Sequence, residues 1–174
     1  MPDIRGLFPK FIYSDTLNIS DNYNEEIKAE IYKITKDIKK TGESVTDFYS
    51  NNDVINNPVF IPLFSLIREH VSIFCNNIGC SKKLRITYAW VSVTYPGQCH
   101  DFHTHGVTDI NGVYYVQATP PMNLMFLNTG NHLGQQLHNE PLETKKLLLF
   151  DGSLAHGFMP VSETKITIAF NITS

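Results

Sequence analysis

The 174-residue chain carries 14 basic and 17 acidic residues for a net charge of −3, with 42% apolar and 18% charged side chains. That balance describes one ordinary globular domain with enough chain to bury a core. The absence of a lysine- and arginine-rich block excludes phosphate-backbone binding as the main task, so no nucleic-acid partner is expected.

No apolar run is long enough for a membrane span, and the opening residues lack the apolar stretch of a signal peptide, so no membrane association is expected. Three cysteines, Cys75, Cys80 and Cys99, form neither an even set nor a C-x-x-C pair. A reduced, cytoplasmic setting is the expectation.

In chain order, residues 7–17 hold a short apolar stretch that predicts a strand. Ser20, Asp21 and Asn22 then offer helix N-caps, with Glu25 and Glu26 in the opening turns. Ile27, Ile31, Ile34 and Ile38 recur at helical spacing, and Gly42 is the expected left-handed stop. Residues 43–57 are polar and read as a loop. A second helix is expected over about 60–77, with Pro62 in its first turn, Leu63, Leu66, Ile67, Val71 and Phe74 as its stripe, and Gly79 closing it. His70 beside that stripe reads as a core-edge residue.

From residue 84 the pattern turns to β. Residues 84–95 are β-branched and aromatic and end at Pro96-Gly97. Further strands are expected at Val113–Gln117, Leu124–Leu127, Lys146–Phe150, Gly157–Met159 and Lys165–Ile172, with loops 96–101 and 128–141 as lids. His132 and His138 in the second loop read as solvated. Two helices followed by many short strands imply a mainly β fold with flanking helices, a jelly roll with both helices packed on one sheet. The chain is expected to be a single domain over 1–174, with 1–80 as helical support and 84–173 as the β core.

Three histidines are the informative feature. His103 and His105 lie two apart, so an extended backbone sends both to one face. His156 follows a strong strand and the turn Asp151-Gly152-Ser153. Two neighbouring ligands plus a distant one leave coordination positions open, as a catalytic iron or zinc requires.

The run His103-Thr104-His105, the strand Asn111-Gly112-Val113-Tyr114-Tyr115-Val116, the segment Leu148-Leu149-Phe150…His156-Gly157 and the strand Lys165–Asn171 together resemble the iron(II)- and 2-oxoglutarate-dependent oxygenases. They are most similar to a small branch found in bacteriophages and marine bacteria. The resemblance covers roughly residues 84–173. It implies a double-stranded β-helix, Fe(II) as metal, 2-oxoglutarate as cosubstrate and dioxygen as co-reactant. His103 and His156 would be metal ligands. Lys165, nine residues after His156, stands where the family has an arginine for the far carboxylate of 2-oxoglutarate. Thr167 shares its face and offers a hydroxyl, and Tyr115 matches a tyrosine that reaches 2-oxoglutarate in some relatives. The implied reaction is a hydroxylation that releases succinate and carbon dioxide. Relatives include prolyl hydroxylases, so a small-molecule or peptidyl substrate is implied, with self-association as a homo-oligomer left open.

Two departures stand out. The carboxylate ligand of the common H-x-D motif is replaced by His105, with Asp109 as the alternative third ligand and Asp101 as a further candidate. Lysine replaces arginine at 165, a point charge in place of a planar fork. A rival reading is a cupin-type metalloenzyme, in which His103, His105, Asp109 and His156 bind the metal and 2-oxoglutarate has no role.

Overall fold

Ser20 starts the first helix, its hydroxyl accepting the Tyr23 N–H at 3.2 Å. The computed structural model describes residues 9–39, 42–50, 53–130 and 136–174. In chain order its elements are β1 (Ile12–Thr16), α1 (Asp21–Thr35), β2 (Val45–Thr46), α2 (Ile61–Asn77), β3 (Arg85–Thr94) and β4 (His100–His103). They continue with β5 (Ile110–Gln117), β6 (Asn123–Leu127), β7 (Leu137–Pro141), β8 (Lys146–Asp151), β9 (Ala155–Phe158) and β10 (Lys165–Thr173). Leu7 and Phe8 of the expected first strand, and His132, lie outside the described residues.

The chain is mainly β with two helices. A six-stranded antiparallel sheet runs β1-β8-β5-β10-β3-β2, and a four-stranded antiparallel sheet runs β4-β9-β6-β7. Alternation along β10 sorts its residues between two cores. Ile166, Ile168, Phe170 and Ile172 enter a cluster shared with Ile27 and Ile31 of α1 and Leu63, Phe64 and Ile67 of α2. On the other face Ala169 joins Leu124 and Phe126 of the small sheet and Leu148 and Phe150 of β8. The second cluster therefore draws on both sheets. Truncating a fully buried member such as Ile168 or Phe150 to alanine would cost about 2–5 kcal/mol.

Three local expectations change. α1 ends at Thr35, so Ile38 sits past the helix, and Gly42 is not among the glycines with positive φ. Gly79, with φ +68°, does close α2. The stretch 128–141 is not loop throughout, because Leu137–Pro141 pairs with β6 as an edge strand. An edge position tolerates Pro141 and the polar run before it. None of the described helices is long and apolar enough to cross a membrane.

Candidate metal centre

The inner face of β10 carries Lys165, Thr167, Ala169 and Asn171 in alternation. In register beside it, Thr167 is opposite Tyr115 and Asn171 is opposite Asn111 on β5. Across from this face, the small sheet supplies two of the histidines: β4 pairs with β9 so that His103 stands opposite His156. Gly157 makes the approach of these strands feasible, since a Cβ there would lie 2.7 Å from the His100 carbonyl oxygen.

The ligand-capable atoms of His103, His105 and His156 all lie within 4.8 Å of one another. Among the described residues they form a group that no carboxylate joins. Each ring is tied at Nδ1. His103 Nδ1 meets the Asp101 carbonyl at 2.9 Å, His156 Nδ1 meets the Leu154 carbonyl at 3.0 Å, and His105 Nδ1 meets Asn171 Oδ1 at 2.8 Å. A carbonyl oxygen only accepts, so the proton of each neutral ring sits on Nδ1 and Nε2 presents a bare lone pair. The Nε2 atoms of His103 and His105 face each other at 3.3 Å. Two lone pairs that close, without a proton between them, repel unless a cation lies between, so the donor set fits a divalent metal. All-imidazole coordination suits iron, zinc, nickel or copper, and three protein ligands leave positions open.

Burial holds two of these rings, His105 and His156, neutral. It lowers the His156 pKa to about 3, with the neighbouring histidines adding to the effect, and it also lowers His105. A fourth ring, His100, stacks on His103 with centroids 4.2 Å apart and planes 15° apart. The cause is a bulge: His100 pairs with Phe158 and His103 with His156, so four residues of β4 span three of β9. That extra residue re-aims His100 toward the site. Sequence spacing gave no sign of it. His100 Nε2 also lies 3.4 Å from a Glu43 carboxylate oxygen.

Lys165 is only 4% exposed, and among the described residues no carboxylate or other acceptor bonds its ammonium. Its Nζ sits 3.0 Å from the centroid of the Phe158 ring. Desolvation lowers its pKa from 10.5 to about 7. A buried cation without a counter-charge is expensive, so an anion entering here would relieve that cost. A cavity of about 370 Å³ opens against it, lined also by Met122, Met125, Leu142, Phe158 and Val161. Thr167 and Tyr115 are buried on the same inner face. Burial, with the Glu140 charge second, pushes the Tyr115 phenol far above its ordinary value.

Asp109 stands apart. Its carboxylate pairs with Lys82 and accepts the Ser174 N–H at 2.8 Å, and it is not in the histidine group. Asp101 turns an exposed side chain outward and contributes its carbonyl to His103. Of the candidate aromatic wall, Trp90 lies against His105 with centroids 5.4 Å apart, and Tyr88 and Phe48 pack on Trp90 at 5.7 and 4.9 Å. Tyr95 instead packs against the helical cluster, and Phe102 is exposed. His70 clamps β1 to α2 through the Tyr13 hydroxyl at 2.7 Å.

No protein-family model and no curated protein matches the sequence. Solved structures do match. HygX from Streptomyces hygroscopicus, with nickel and 2-oxoglutarate bound, has TM-score 0.69 at 10% identity, covering 93% of this chain and 82% of its own. The same protein is also solved with hygromycin B. A prolyl hydroxylase from Trichoplax adhaerens, in complex with a hypoxia inducible factor peptide fragment, has TM-score 0.68 at 12% identity, covering 93% and 83%. The viral collagen prolyl hydroxylase of Paramecium bursaria chlorella virus-1, a 2-oxoglutarate complex, has TM-score 0.65 at 15% identity, covering 94% and 96%. At such low identities these likenesses establish a shared fold.

Proposed function

We propose that this chain is an iron(II)- and 2-oxoglutarate-dependent dioxygenase that hydroxylates a C–H bond. The observation that carries the reading is a pairing: three imidazole lone pairs converge, and the buried Lys165, whose ammonium meets no carboxylate among the described residues, lies on the facing sheet. In this reading His103, His105 and His156 hold the metal, Lys165 and Thr167 take the far carboxylate of 2-oxoglutarate, and Tyr115 reaches the same cosubstrate. With the metal and cosubstrate bound, the site would couple decarboxylation to succinate and carbon dioxide to hydroxylation of substrate.

The chain's own residues divide the work. The carbonyls of Asp101 and Leu154 orient two rings, keeping their Nε2 atoms bare. Lys165 neutralises one carboxylate in a dry setting, where charge pairing is strong. Leu148, Phe150 and Phe126 exclude water behind the histidines. Trp90, against His105, is the wall that substrate meets. A small-molecule or peptidyl substrate suits the reading, since structures of this fold hold hygromycin B in one case and a peptide in another. We read the two sheets as halves of a double-stranded β-helix in one domain over 1–174. The two N-terminal helices then pack on the larger sheet, with 1–80 supporting the β core of 84–173.

Equilibrium dialysis under anaerobic conditions tests the metal assignment. One iron(II) per chain is expected for the wild type, with loss of binding in His103→Ala and His156→Ala. Unchanged iron content in both variants would remove the foundation of the proposal.

A further inference from the structure

We infer that Asn171 is the positioning residue for the third metal-binding imidazole, its amide oxygen fixing His105 with Nδ1 protonated and Nε2 bare. This rests on the proposed metal role of the three histidines and deepens it.

His103 and His156 are each oriented locally, by the carbonyl two residues before them. His105 has no such tether. It lies past the end of β4, and its Nδ1 reaches across to Asn171 Oδ1 at 2.8 Å, 66 residues away in sequence. The strand that presents Asn171 is the one that presents Lys165 and Thr167, and alternation sends all three to one face. One rigid strand therefore sets both the proposed anion anchor and the third ligand.

The surroundings lock this arrangement. Asn111, fully buried and in register with Asn171, accepts the Thr108 hydroxyl at 2.7 Å and donates to the Gly152 carbonyl at 3.5 Å. Trp90 lies against the His105 ring at a 54° tilt, and His103 stacks beside it at 19°. A side-chain acceptor on a metal-bound histidine fixes tautomer and ring angle. An amide does so without adding charge, so His105 stays a neutral ligand. The site then keeps the full positive charge of its metal for an anionic cosubstrate.

Two measurements on Asn171→Leu and Asn171→Asp test this. Nitrogen-15 imidazole spectra of the metal-free protein report the His105 tautomer directly. The wild type and Asn171→Asp should hold the proton on Nδ1, and Asn171→Leu should shift it toward Nε2. Titration with cobalt(II) alone should show affinity weakened roughly 10–100-fold in Asn171→Leu and restored in Asn171→Asp. In a His105→Ala background, Asn171→Leu should cost nothing further. Circular dichroism and melting of the metal-free variants confirm folding. An unchanged tautomer in Asn171→Leu, an equal loss in Asn171→Asp, or a full cost in the His105→Ala background would overturn the assignment. A wild type that binds no cobalt but shows the tautomer shift would instead remove the metal reading and leave the ring orientation standing.

Discussion

Replacing Lys165 with methionine should stabilise the metal-free protein while removing its anion anchor. The side chain is buried, its ammonium meets no carboxylate among the described residues, and desolvation lowers its pKa from 10.5 to about 7. At any pH below 7 that displacement corresponds to about 5 kcal/mol of lost stability, an order-of-magnitude figure. Between pH 7 and 10.5 the unfolded chain holds the proton that the folded chain has shed. Wild-type stability therefore rises with pH across that window, and the burden shrinks to about 1 kcal/mol at pH 9.5. Methionine keeps an unbranched apolar stem of similar length on the Phe158 ring but forfeits the cation–π contact, about 1–2 kcal/mol. The net expectation is a gain of about 3–4 kcal/mol at pH 6.5 that falls to about 1 kcal/mol at pH 9.5, where the amine is neutral and makes no cation–π contact. Urea unfolding of both proteins at the two pH values reads this directly; removing the Lys165 charge also lifts one of the influences that depress His100, a change of the same sign. A variant less stable than wild type at pH 6.5, or a difference independent of pH, would refute the reasoning.

Binding of 2-oxoglutarate to nickel(II)-loaded protein should draw a proton onto Lys165. Calorimetry in two buffers of unlike ionisation enthalpy should give an uptake near one per chain at pH 8, where about nine-tenths of the amine is neutral, and little at pH 6. Asp109→Ala should leave iron affinity at the wild-type value, because its carboxylate serves Lys82 and the Ser174 N–H. A clear loss in the same dialysis assay would revive the four-ligand, cupin-type arrangement. Gly157→Ala should destabilise by about 1–3 kcal/mol, since the added methyl meets the His100 carbonyl oxygen at 2.7 Å. Thermal melting checks the stability loss, and an unperturbed melting point would mean β4 has room to move.

Much of this architecture is written in local pattern. The apolar rows of α1 and α2 and the strict alternation of β10 carry enough periodicity to assign both helices and to place Lys165 and Thr167 on one face. The approach of His156 to His103 was expected from residue type and spacing, while the pairing of β4 with β9 that produces it is tertiary. What escaped the sequence depends on contacts with no local signature. The β4 bulge that turns His100 onto His103 comes from a register mismatch between two strands about 55 residues apart. The Asn171 partnership with His105 had a partial signal, since counting by twos from Lys165 reaches 171, but its partner is set by the fold. Edge strand β7 was hidden because its sequence, Leu137-His138-Asn139-Glu140-Pro141, is polar and ends in proline, features an edge allows and a central strand does not.

The most direct test is an anaerobic titration of the metal-free protein with iron(II) and 2-oxoglutarate, followed by visible absorption. A weak charge-transfer band of the chelate should grow to one equivalent, vanish in His156→Ala and need far more 2-oxoglutarate in Lys165→Ala. Iron binding without that band would contradict the dioxygenase assignment, because the cosubstrate would then have no place at the metal.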